Sequence, residues 1–116
     1  MKAIIYHNPN CSKSRSTVAL LEKKGIKFQI IEYLVNPPSS NELKSLARKL
    51  GLDIQNLVRT GEPEFKDANI DLATATEEQI LQVLNTFPIL IQRPIVEIAE
   101  GARIGRPPNT ILELFE

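Results

Sequence analysis

Apolar residues change period twice in the first third of the chain. Ala3-Ile4-Ile5-Tyr6 is a short unbroken apolar run, as expected for a buried strand over residues 2–6. After a polar stretch, Thr17-Val18-Ala19-Leu20-Leu21 lies within a helical pattern over roughly 14–24, and Lys27-Phe28-Gln29-Ile30-Ile31-Glu32-Tyr33 reads as a second strand. Gly25 ends the helix just after Lys23 and Lys24, a C-terminal cap whose charges suit the macrodipole. A strand, helix, strand unit of this kind implies parallel strands.

Asn36-Pro37-Pro38 then breaks the chain. Ser39-Ser40-Asn41-Glu42 offers a capping box before Leu43, Leu46, Ala47 and Leu50 at helical spacing, and Gly51 closes that helix. A short helical turn over 54–58 leads into Arg59-Thr60-Gly61-Glu62-Pro63, a loop by its Gly and Pro. Thr76-Glu77-Glu78-Gln79 is a second capping box, followed by Ile80, Val83, Leu84 and Phe87 on one face until Pro88 stops the run. Ile95-Val96-Glu97-Ile98 and Ala102-Arg103-Ile104 flank Glu100-Gly101 as the strands of a hairpin. Gly105-Arg106-Pro107-Pro108-Asn109 starts a last helix carrying Ile111, Leu112, Leu114 and Phe115. The expectation is one α/β domain over 1–116: a four-stranded mixed sheet with a helical segment inserted between its halves, the element order of a thioredoxin-like fold.

Composition narrows the possible functions. Lys plus Arg equals Asp plus Glu at 14 each, so no overall field draws the chain to a nucleic-acid backbone. With no Trp, two Tyr and four Phe there is little material for base-stacking platforms either. No apolar run exceeds four residues, too short to cross a bilayer, and Met1-Lys2-Ala3 leads straight into a strand without a signal-peptide pattern. A length of 116 residues can bury a core without staples, and a single cysteine closes no internal bridge, so a cytoplasmic location is expected.

That cysteine, Cys11, falls in the turn between the first strand and the first helix. A helix N-terminus presents unpaired N–H groups and the positive end of the macrodipole, which favours thiolate over thiol and binds anions. Solitary cysteines in cytosolic proteins are usually inert core fillers; the turn position points instead to a nucleophile. His7 and Ser14 flank it as candidates for stabilising the anion. His7 and Cys11 together fall short of a usual zinc set, so His7 either tunes the thiolate or packs the turn, and no metal is expected. Of six arginines, Arg48 and Arg103 read as solvated surface residues, and Arg15 in the first helix is left open. Arg93 and Arg106 each precede a proline, which confines their backbones and fixes their side-chain direction, and Arg59 lies near the end of an element.

His7-Asn8-Pro9 with Cys11 and Ser14-Arg15, then Tyr33-Leu34 with Asn36-Pro37-Pro38, then Phe87-Pro88-Ile89-Leu90-Ile91 with Arg93-Pro94-Ile95-Val96, and finally Gly105-Arg106-Pro107, resemble in this order the glutaredoxin-coupled arsenate reductase family. The resemblance runs from residue 4 to residue 115. It implies reduction of arsenate to arsenite, with Cys11 as nucleophile and Arg59, Arg93 and Arg106 binding the oxyanion. It also implies a cis Arg93-Pro94 bond facing the cysteine. Two departures are visible: Ser12-Lys13 stands where a small pair often follows the cysteine, and the chain stops soon after the last helix where some relatives carry a longer tail. Reducing arsenate takes two electrons, which two thiols supply by forming one disulfide. With one thiol in the chain, the second must be external, which points to glutathione as co-substrate and a glutaredoxin as partner, with no bound cofactor.

Competing functions remain at this level. Superfamily relatives that bind RNA polymerase as transcriptional regulators carry a Cys-x-x-Cys switch; here Ser14 takes the second position, which removes the internal disulfide without excluding protein binding. A monothiol glutaredoxin-like oxidoreductase would need no cluster of guanidinium groups for a disulfide substrate. An oxyanion other than arsenate would fit the same arginines.

Overall fold

The computed structural model describes residues 2–116. They divide into two compact units, one formed by the N-terminal segment through Asn36 together with Arg93–Glu116, the other by Pro37–Gln92.

The first unit carries the sheet. Strands β1 (Lys2–His7), β2 (Lys27–Glu32), β3 (Ile95–Ile98) and β4 (Gly101–Ile104) lie in the order β2-β1-β3-β4. β1 and β2 are parallel, joined through helix α1 (Ser12–Lys23), and β1 pairs antiparallel with β3, which forms the hairpin with β4. This is a thioredoxin-like α/β fold with a mixed four-stranded sheet, as the element order predicts. Alternation along β1 and β3 sends Ala3, Ile5, Val96 and Ile98 to one face, where Leu21 of α1 and Ile111 close the core. Val18, Phe28, Leu112 and Phe115 pack around that cluster.

Helix α1 begins at Ser12, earlier than the expected 14, so Cys11 itself is its N-cap residue. At the other end Gly25 adopts φ +68, its N–H reaches the Glu22 carbonyl at 3.0 Å and the Ile26 N–H reaches Leu21 at 3.1 Å. Those two bonds are a Schellman motif, which needs the left-handed residue that glycine supplies. The final apolar segment is helical but of the tighter 3₁₀ kind, Pro108–Phe115.

The second unit is helical. Both expected capping boxes form: Ser39 caps α2 (Ser40–Leu50) with Glu42 reciprocating, and Thr76 caps α4 (Glu77–Thr86) with Gln79 reciprocating. Leu43, Leu46, Ile80, Leu81 and Leu84 are buried where α2, α4 and the 3₁₀ turn Ile54–Leu57 meet. A short helix α3 (Glu64–Ala68) follows Pro63, in a segment whose sequence carries no apolar periodicity. The Leu57–Gln92 and Arg59–Leu90 backbone hydrogen bonds tie the two ends of the unit's loops together. Among the described residues no helix is long and apolar enough to cross a membrane.

Burial sets the expected cost of substitutions. Leu21, fully buried in the sheet core, should lose about 2–5 kcal/mol on Leu21→Ala, read as a lower denaturation midpoint. Val35→Ala, at a side chain 73% exposed, should stay within about 0.5 kcal/mol of the parent.

Candidate active site

The strand β1 ends at His7, and the chain must turn within Asn8–Asn10 to start α1. Asn8, only 4% exposed, organises that turn from three sides. Its carbonyl accepts from the Cys11 N–H at 3.0 Å, its side-chain oxygen accepts from the Asn10 N–H at 3.0 Å, and its own N–H donates to Ser14 Oγ at 3.1 Å. Pro9 follows with the φ such a turn requires. Arg15, left open by sequence, donates from Nη1 to the Pro9 carbonyl at 2.8 Å and braces the same loop.

His7 and Ser14, each singled out by sequence for the anion, contact one another. Both are buried, and His7 Nδ1 shares a hydrogen bond with Ser14 Oγ whose direction follows the imidazole tautomer. Burial lowers the His7 pKa below its ordinary value; Glu32, its register partner on β2, opposes the shift and the Arg15 charge assists it. The imidazole is therefore neutral at pH 7.

Cys11 sits at the N-cap with extended backbone and makes no oxygen-type capping bond. Burial alone would push its thiol up. The Ser14 amide, the Arg93 side chain and the Lys13 amide outweigh that and hold the thiol below its ordinary value. Arg106 also reaches the sulfur, with Nη1 3.8 Å from Sγ and 3.2 Å from the Arg93 carbonyl. Arg93 supports the anion both by its side-chain hydrogen bond and by its charge, and Arg106 adds a longer N–H···S contact at 3.8 Å. The Arg93-Pro94 bond is cis, as expected, and Arg106-Pro107 is cis as well. One thiolate held by two helix amides and faced by two guanidinium groups can attack an electrophilic centre in an oxyanion, whose oxygens the forks would pair.

Arg59, the third arginine singled out by sequence, belongs to the helical unit. There its Nε donates to Glu62 Oε1 at 3.1 Å. Arg103 holds Glu113 at 2.9 Å on the surface, in keeping with a solvated role. Sequence reasoning missed Asn8 as an organiser, although an Asn-Pro pair after a strand is itself a turn signal.

Because the thiol is held below its ordinary value, its reactivity should titrate at lower pH than a free cysteine, whose pKa is about 8.5. The rate of iodoacetamide alkylation against pH should show a midpoint below that of a free thiol in wild type and a higher one in Arg93→Ala. A wild-type midpoint at the free-thiol value would refute the electrostatic account.

Comparison with known proteins places the chain. Residues 6–114 match the ArsC family. An arsenate reductase of Haemophilus influenzae is 46% identical over 116 residues, covering 99% of this chain and 100% of its own. One from Rhizobium meliloti is 35% identical over 115 residues, covering 99% of this chain and 82% of its own. Among solved structures, an arsenate reductase from Vibrio cholerae superposes with a TM-score of 0.92 at 44% identity, covering 97% of each chain. With a family match across nearly the whole sequence and full-length relatives on both counts, the chain belongs to the ArsC family.

Proposed function

We propose that this protein is an arsenate reductase in which Cys11 is the nucleophile and external thiols complete the reaction. The observation that carries the reading is a single thiol, lowered in pKa and faced by Arg93 and Arg106, in a chain with no second cysteine. The arsenate reductases of Haemophilus influenzae and Vibrio cholerae, similar along their full length, support the substrate.

The electron balance dictates the rest. Arsenate plus two thiols gives arsenite, one disulfide and water, the thiols losing the two electrons that arsenic gains. In this reading the Cys11 thiolate attacks arsenic with loss of water. Glutathione then supplies the second sulfur and a glutaredoxin clears the mixed disulfide, so the site needs no bound cofactor, and the reducing cytoplasm is the compartment that provides both. Arg93 and Arg106 bind the oxyanion, their planar forks suiting paired oxygens, and Arg59 is the further arginine that the family resemblance assigns to it. Ser14 acts on the thiolate by its amide, and His7 holds Ser14 in place through its hydroxyl.

The test is arsenite formation from arsenate by purified protein with glutathione, glutaredoxin and a reductant supply. Cys11→Ser should abolish it, and Arg93→Ala should lower kcat/KM by roughly 10²-fold, the scale of losing one charge-stabilising donor. No wild-type activity above the Cys11→Ser background, with Cys11 reduced and the protein folded, would turn the search towards a protein-binding or regulatory role.

A further inference from the structure

Gly105 lies between the end of β4 and Arg106, in a space that admits no side chain. A Cβ placed there would stand 2.7 Å from Thr17 Oγ1 and 2.9 Å from Pro94 Cγ. Both distances are shorter than carbon contacts allow, and neither neighbour yields easily. Thr17 is fully buried in α1 with its hydroxyl donating to the Lys13 carbonyl at 2.8 Å, and the Pro94 ring is rigid at the lead into β3. Only Gly25 and Gly51 have left-handed backbones among the described glycines, so the demand at 105 is for room and not for an unusual φ.

What that room permits is a convergence of three chain segments on one sulfur. The Gly105 N–H donates to the Pro94 carbonyl at 2.9 Å, which ties the exit of β4 to the start of β3. The next residue along the exit is Arg106, whose Nη1 reaches both Cys11 Sγ and the Arg93 carbonyl. Thr17 lies on the helix whose first amides hold that sulfur. A methyl group at 105 must push the β4 exit away from α1 and Pro94, and Arg106 rides on the segment that moves.

We propose that Gly105 is a positioning residue for the thiol: its missing side chain lets the β4 exit close on Thr17 and Pro94, and that approach sets the Arg106 guanidinium against Cys11. The inference rests on the reading of Cys11 as the reactive group, but not on arsenate being its substrate. The charged and polar groups that face the sulfur are Arg93 from the lead into β3, Arg106 from the β4 exit and the amides of Lys13 and Ser14 from α1, with His7 acting from β1 through Ser14.

The experiment is the pH profile of Cys11 alkylation by iodoacetamide in wild type, Gly105→Ala, Arg106→Ala and the double variant, with circular dichroism recorded on each. Gly105→Ala should keep its fold, raise the alkylation midpoint by about 0.5 unit and slow alkylation at pH 7 about threefold. In the Arg106→Ala background the same substitution should shift the midpoint by less than half as much, since the group it displaces is gone. A folded Gly105→Ala with the wild-type profile, or one whose full effect survives without Arg106, would overturn the proposal. If Gly105→Ala does not fold, Gly105→Ala with Thr17→Ala removes the shortest contact and is read the same way. Failure of that variant to fold as well would assign Gly105 to the core and overturn the proposal equally. Alkylation requires no arsenate, so a chain inactive on arsenate could still show the predicted coupling, and the two readings fail separately.

Discussion

The open N-terminus of α1 is the constraint on which the rest of the site depends. Helices α2 and α4 close their first turns with a Ser or Thr cap, a reciprocating Glu or Gln, and acidic side chains against the positive end of the dipole. Helix α1 has none of these: its N-cap is Cys11 and no acidic residue lies in its first turn. The amides that a capping oxygen would satisfy are therefore left facing a sulfur, and the stabilisation that elsewhere fixes a helix end is directed here to lowering a thiol's pKa. An anionic ligand brought to the same place would meet the same unneutralised field.

Everything around that helix end serves to hold it at the C-terminal end of β1, an interior strand of the sheet. β1 delivers His7 to Ser14, Asn8 folds the three-residue turn, Arg15 pins the turn's outside, and the leads into and out of the β3–β4 hairpin bring Arg93 and Arg106. None of these contacts is individually large, since a hydrogen bond is worth about 1 kcal/mol net. Their joint effect is geometric: they leave the sulfur one environment, built from side chains whose directions are already fixed before any substrate arrives.

Much of this was legible in the residues. Capping boxes at Ser39 and Thr76, the glycine stop at Gly25 and the Glu100-Gly101 turn between two short apolar runs each express a local rule, and each element formed where the rule put it. α3 escaped because five residues with no buried side chain leave no apolar period to read. The last helix was legible as helical but not as 3₁₀, because Ile111, Leu112, Leu114 and Phe115 suit either spacing. At the site, Cys11 stood out by its turn, and Arg93 and Arg106 by the prolines that follow them. Asn8 and Gly105 did not, since their importance comes from Ser14, Thr17 and Pro94, neighbours that only the folded chain supplies.

The contact between Arg106 and Cys11 joins residues 95 apart in the sequence, and Arg93 lies almost as far along. A ribosome releases the cysteine, its turn and its helix long before either guanidinium exists. Through most of synthesis the nascent chain therefore has only the α1 amides to act on the thiol, because the pairing of β1 with β3 that brings the arginines in is a late, non-local event. The guanidinium share of the sulfur's surroundings is thus a tertiary property, absent from any chain in which β3 has not paired with β1, and the thiol's acidity reports on that pairing.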